Sequence, residues 1–341
     1  MEAYEATTSA SPVVRVLSEL KLAAFCAFYL GINFTPILVP AWLYFAWRGS
    51  LVCQALLALT LLDYAVPLGS GHASQWFGWC KLTNFAAGCR SYFPMELAFE
   101  GEWKRDKNYL IVHHPHALFG IGFTLLSRYV FEVYGTQPLI TVADVIAYVP
   151  LLRRIMSWWG CTGVSARSMR KDLALPWPHN SLMLQPGGIA EMFFGVESEQ
   201  IILRKRVGFC KVALQTGACL VPMYVMGANQ CWTRRFGPDS YLARLSSVLR
   251  VSLVVWSGRW GLPFGVLPHR QKMVVCSGAP IEVPKVAEPS AAQIEALHVR
   301  YVAELRALYE RHKHKMGDEW AAQRPALLLE DETGETSKKR R

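Results

Sequence analysis

Between Leu22 and Trp47 the chain runs for 26 residues, LAAFCAFYLGINFTPILVPAWLYFAW, without one charge, and Lys21 and Arg48 bracket the run. About 20 apolar residues are enough to cross a bilayer, and an ordinary amphipathic surface helix has no need of so long a charge-free stretch. A second uncharged run, GSLVCQALLALTLL, covers residues 49–62. Pro36 and Pro40 interrupt the first run, and Gly49 separates the two. Lipid offers no partner to exposed backbone groups, so helices and protein-covered segments alone survive there. We read residues 21–66 as a membrane-embedded helical hairpin, either two spans or a re-entrant wedge, in preference to a buried helix pair. Two spans with both ends in the cytosol is the simpler topology. Residues 1–20 form a polar segment without the pattern of a secretory signal.

The rest of the composition suits that surface. Hydrophobic residues make up 52% of the 341 and charged residues 18%, below the roughly 25% of soluble domains. Twelve Trp, 13 Tyr and 16 Phe fit membrane interfaces and apolar ligand pockets. The net charge of +10 points to anionic lipid, a phosphorylated ligand or a plain solvated surface. Nucleic acid is the weakest partner, because no dense basic block coincides with an aromatic ladder. Nine cysteines are scattered with no CxxC pair, which reads as buried thiols in a reducing compartment and not as a zinc knuckle or redox pair.

From about residue 105 short apolar runs alternate with helical ones. YLIV (109–112), PLITVA, SLMLQPGG, CLVPMYVMG and QKMVVCSGAPI read as strands. The segments 117–135, PLLRRIMSWWG, RVGFCKVALQTG and AAQIEALHVRYVAELRALYERHKHK read as helices, several closed by glycine. Such alternation predicts an α/β fold, a mostly parallel sheet flanked by helices, over residues 67–320. Residues 321–341 read as a disordered, basic-ended tail.

Sites in parallel α/β sheets lie at the carboxyl ends of strands, where both IVHHPHALFGIG and QPGGIAE fall. His113, His114 and His116 cluster around Pro115. An extended chain would put His114 and His116 on one side, but a closed metal site needs further ligands, and no second tight cluster precedes His312 and His314. Acid–base chemistry suits them better: a neutral imidazole near a hydroxyl is a general base, and His116 is expected just before a helix, whose dipole disfavours imidazolium. A structural turn is the plainer alternative. Gly187 and Gly188 permit a turn through which backbone amides approach a ligand, and Glu191 follows, to orient a histidine or bind acceptor hydroxyls. Arg204, Lys205 and Arg206 precede a helix, a place for phosphates, which Arg153, Arg154 and Arg167 are positioned to join. Arg259 and Arg270 lie in a glycine–proline loop.

Taken together, these segments resemble the type-2 acyl-CoA:diacylglycerol acyltransferases, a family that includes monoacylglycerol and wax-alcohol acyltransferases. HPHA at 114–117 resembles the family's His-Pro-His-Gly signature. PGGIAE at 186–191, VGFCKVALQTGACLVPMYVMG, GRWGLP with VVCSGAPIEV, and YERHKHKMG follow in the family's order. The resemblance implies a glycerolipid-acyltransferase-like fold and transfer of a fatty acyl chain from acyl-CoA to diacylglycerol, forming triacylglycerol. The implied catalytic position is His116, with His114 beside it, and the choice of base between the two stays open at this point. We take Pro115, Gly187, Gly188, Arg167, Arg204, Arg206, Asn229 and Arg259 as the candidate substrate-binding set. It implies no cofactor and no metal, a home in the endoplasmic reticulum membrane with the catalytic domain facing the cytosol, and contact with membrane lipid and lipid droplets. A homo-oligomer is left open.

There are departures from the family pattern. Ala117 stands where glycine is usual, Val207 replaces a basic residue, and Met226 and Ala228 replace an aromatic and a polar one. Related glycerolipid acyltransferases carry an Asp five positions after their histidine, where this chain has Phe119 or Ile121. The carboxylate partner must come from elsewhere, Glu191 first and Asp144 behind it. Lys338 to Arg341 resemble a dilysine retrieval signal. The competing expectations are a monoacylglycerol or fatty-alcohol acceptor, a non-catalytic lipid-droplet membrane protein, and a metal-dependent hydrolase.

Overall fold

The computed structural model describes residues 12–31, 34–66, 92–120, 130–149, 152–194, 197–249 and 252–330. The uncharged run does not stay one helix. Helix α1 (Pro12–Gly31) ends before helix α2 (Thr35–Trp47), and α3 (Leu51–Ala65) follows a turn at Gly49. The first half of the run belongs to the protein core, since Leu22, Cys26 and Leu30 of α1 are buried there. The apolar pair is therefore shorter than the expected 21–66. No single helix among the described residues is long and apolar enough to span a membrane, whereas α2 and α3 pass that test together, bent by 114°. Trp42 Nε1 donates to the Cys53 carbonyl and Gln54 Nε2 to that of Ala46, both at 3.0 Å, which locks the bend.

The centre of the molecule is a seven-stranded sheet. Its strands are β1 (Met95–Phe99), β2 (Tyr109–His114), β3 (Leu139–Val142), β4 (Cys161–Gly163), β5 (Ser181–Leu184), β7 (Cys219–Met226) and β10 (Met273–Ser277), in the order β1-β10-β7-β2-β5-β3-β4. The five strands from β7 to β4 are mutually parallel, and β10 runs antiparallel to β7, with β1 parallel to β10. The sheet is thus mostly parallel. Strands β2, β5 and β7 are buried at every position, as expected of central parallel strands covered on both faces.

Side-chain alternation divides two cores. Odd-numbered residues of β2 and β7 (Tyr109, Ile111, Val221, Met223) face α1 and the segment around Trp232 and Trp256. Even-numbered ones (Leu110, Val112, Leu220, Tyr224) face helices α5 (Ala166–Leu173), α6 (Gly208–Thr216) and α8 (Ala291–His312). Helix α8 starts with a capping box of Ser290 and Gln293, which satisfies two otherwise orphaned amides. Helix α4 (Leu152–Trp158) fills the expected PLLRRIM segment, and α7 (Tyr241–Leu249) follows β7.

Two expectations are placed differently. The tail does not break off at residue 321: helix α9 (Asp318–Gln323) is followed by β11 (Leu328–Leu329), which pairs in parallel with β6 (Gln200–Ile201), and Leu327 is buried. Two buried leucines give this polar stretch a reason to fold. The helix expected over 117–135 is not formed at its start, since 117–120 are non-helical and His116 does not stand at a helix N-terminus; 121–129 lie outside the described residues, and 130–134 are helical. The end of the chain with Lys338–Arg341 also lies outside them.

Candidate active site

Strand β2 ends at His114, and Pro115 and His116 leave from its carboxyl end. Next to it, β5 ends at Leu184 and passes into Gln185 and a short 3₁₀ turn, Gly188–Phe193, that carries Glu191. Both expected motifs therefore meet at the carboxyl ends of two neighbouring central strands.

The three histidines have three different environments. His113 is buried, and Gln185 Nε2 donates to its Nδ1 at 2.7 Å. His114 is buried on the opposite face, its ring 6.2 Å from that of Tyr301 of α8. Burial pushes His114 down to about 3 and His113 well below the ordinary histidine range, the neighbouring histidines adding to the latter shift. His116 is half-buried and also lowered by burial. Its Nδ1 lies 3.1 Å from the Ala117 carbonyl. A carbonyl accepts and never donates, so Nδ1 carries the proton and Nε2 keeps its lone pair. Of the three, His116 is the one combining a neutral ring, a base-competent nitrogen and access. Among the described residues, no three His, Cys, Asp or Glu side chains gather as a metal would require.

Glu191 meets His116, but not at the ring. Its Oε2 accepts the His116 backbone N–H and its Oε1 the Ile202 N–H, both at 2.7 Å. Burial raises this carboxyl to about 7, against the pull of those two amides. Glu191 thus pins the chain on which the imidazole rides. Gly187 exists for the same contact: a Cβ there would lie 2.0 Å from Glu191 Oε1. The space once expected to admit a ligand is taken by the carboxylate. Ala117 has φ 55, the left-handed region that glycine enters at no steric cost, so the alanine sits in a backbone conformation that suits the glycine expected there.

The other expected residues scatter. Asp144, the second carboxylate considered, accepts weakly from Ser165 N and lies against Gly163. It borders a cavity of about 210 Å³ at the ends of β3 and β4, with Thr162, Arg153, Lys171 and Asp172. Arg153 and Arg154 are committed to Asp63 and the last carbonyls of α3. Arg167 is exposed on α5, and Arg204 and Arg206 are exposed beside β6. The amides at this last place are already engaged, because Glu330 Oε2 accepts from Leu203 and Arg204 N–H. Arg259 pairs with Glu19 of α1 at 3.0 Å and stacks on Trp260. Asn229 donates to Glu199, a carboxylate with no solvent exposure.

Glu199 had no local signal. It accepts a 2.5 Å bond from Tyr224, the β7 register partner of His114, and lies 3.9 Å from Arg324. Burial raises its carboxyl. The strand alternation around YVMG was the one available clue that Tyr224 shares the His114 face.

The chain matches known proteins over most of its length. The family model for diacylglycerol acyltransferase covers residues 42–323. Diacylglycerol O-acyltransferase 2 of Dictyostelium discoideum is 30% identical over 242 residues, 67% of this chain and 73% of that protein. Its namesake in Homo sapiens is 28% identical over 319 residues, 89% of this chain and 78% of that one. Diacylglycerol O-acyltransferase 2-like protein 6 of Homo sapiens is 26% identical over 308 residues, 85% and 90% of the two chains. A solved structure, the 1-acyl-sn-glycerophosphate (LPA) acyltransferase PlsC from Thermotoga maritima, superposes with a TM-score of 0.42 at 12% identity, over 85% of this chain and 97% of that one. With a family model matched across the sheet, the histidine loop and the Glu191 turn, the chain belongs to the diacylglycerol acyltransferase family.

Proposed function

We propose that His116 is the general base with which this diacylglycerol acyltransferase makes triacylglycerol from acyl-CoA and diacylglycerol. Nε2 takes the hydroxyl proton of diacylglycerol as that oxygen attacks the thioester carbonyl. Collapse of the tetrahedral adduct breaks the carbon–sulfur bond, and the leaving thiolate takes the proton back from the imidazolium. The observation that carries this reading is the Nδ1 contact to the Ala117 carbonyl, which leaves Nε2 as the acceptor on an accessible neutral ring. Glu191 positions the loop, and His114 packs behind it. The bent pair α2–α3, with Ile37, Trp47 and Leu51 exposed, supports a membrane hairpin; its home in the endoplasmic reticulum with the sheet on the cytosolic side belongs to the same proposal.

The test uses membranes containing the full chain, labelled acyl-CoA and three acceptors: diacylglycerol, monoacylglycerol and a fatty alcohol. Triacylglycerol is the expected product, and His116→Ala is expected to reduce its formation by roughly 10² or more while the protein still reaches the membrane. A variant with undiminished turnover removes His116 from the chemistry. Product from fatty alcohol alone changes the acceptor.

A further inference from the structure

Arg234 lies on β8 (Thr233–Arg234), which forms a two-stranded ribbon with β9 (Trp256–Ser257), Arg234 opposite Trp256. Cross-strand partners share a face. Trp256 on that face packs edge-on against Phe119, three residues past His116, and Trp232 packs on the same ring. The ribbon that carries Arg234 therefore packs, through Trp256, against Phe119, three residues past His116. All three guanidinium nitrogens are shut off from solvent, and none has a hydrogen-bond partner among the described residues. Burial pushes its guanidinium down to about 10, against the pull of the Glu199 carboxylate. Glu199 faces two guanidiniums, Arg324 at 3.9 Å and Arg234, one carboxylate for two cations. Arginine does not discharge by losing its proton at neutral pH, and a buried guanidinium whose donors make no hydrogen bond is strongly unfavourable. Five donors in a planar fork match the oxygens of a phosphate.

We propose that Arg234 is the anion receptor of the donor subsite, binding a phosphate group beside the histidine loop. The assignment to coenzyme A rests on the reaction proposed above; a phospholipid phosphate has the same chemistry. Full-length protein in detergent is titrated calorimetrically with coenzyme A and with pantetheine, which lacks the phosphates, and is then captured on phosphatidylcholine nanodiscs with and without phosphatidic acid. Wild type is expected to bind coenzyme A at least tenfold more tightly than pantetheine, and Arg234→Gln to lose that preference while binding pantetheine as wild type does. If Arg234→Gln instead loses a preference for phosphatidic acid and keeps its coenzyme A affinity, the site stands and the lipid is its ligand. If neither preference changes, the proposal is overturned. Should that variant not fold, Arg234→Lys keeps the charge without the fork and is expected to bind coenzyme A several-fold more weakly; equal affinity overturns the site. Triacylglycerol synthesis is scored separately. Wild type that binds coenzyme A through Arg234 but makes no triacylglycerol sinks the reaction and leaves the anion site.

Discussion

Glu191 spends its two oxygens on two amides, His116 and Ile202, from inside the protein. Its folded pKa of about 7 lies above the ordinary 4.5, so between those values the folded state holds the extra proton. The sign follows: this group weakens the fold as pH climbs from 4.5, and the loss is complete above 7. Glu191→Gln abolishes the titration but turns one acceptor into a donor facing an N–H, at a cost of about 1–3 kcal/mol. The variant is expected to be less stable than wild type at pH 5, with the gap narrowing at pH 8. Denaturant midpoints at the two pH values measure it, and a gap that is the same at both contradicts the buried-carboxyl account. The choice of Glu191 as partner to the histidines was readable from its place after PGG. Its target was not, because a sequence does not say whether a carboxylate reaches a ring or a backbone amide.

Among the elements, α3 and α4 are joined by a tight ionic contact. Asp63 sits in the last turn of α3, where the helix dipole disfavours a negative charge, yet Arg154 Nε meets it at 2.6 Å and Arg153 Nε at 3.3 Å. Both guanidiniums also donate to the Val66 carbonyl, and Tyr64 donates to the Tyr148 carbonyl at 2.6 Å. The pair of arginines thus neutralises the aspartate and caps the end of α3. These side chains are 10 to 18% exposed, so the contact is stronger than a surface pair and weaker than a buried one. Asp63→Ala is expected to lower stability by about 2 kcal/mol, seen as an earlier thermal transition in detergent. An unchanged transition means that α3 docks through its apolar contacts. The run of arginines was visible in the sequence as a candidate phosphate site; their partner lies 90 and 91 residues earlier, beyond the reach of any local pattern.

At the scale of the whole molecule, the C-terminal segment docks beside the stretch that Glu191 holds. Strand β11 pairs with β6, and Glu330 holds the amides of Leu203 and Arg204, next to the Ile202 amide that Glu191 holds. Two carboxylates from distant parts of the chain grip three consecutive amides. Replacing Leu327 and Leu329 together by alanine is expected to cost about 4 kcal/mol, measured as a shift in the unfolding transition; no shift is what a disordered tail would give. The sequence by itself determined the α/β alternation, the strands, the histidine and PGG motifs at strand exits, and a charge-free segment bent by proline and glycine. Those features are local, since periodicity and turn chemistry act over a few residues. The tertiary structure alone decided that the first half of that segment packs into the core, that β10 turns antiparallel, that the C-terminal leucines complete a ribbon, and which cation each carboxylate meets. Each of these depends on groups far apart in the chain being buried together, where desolvation makes an unpartnered charge or amide costly.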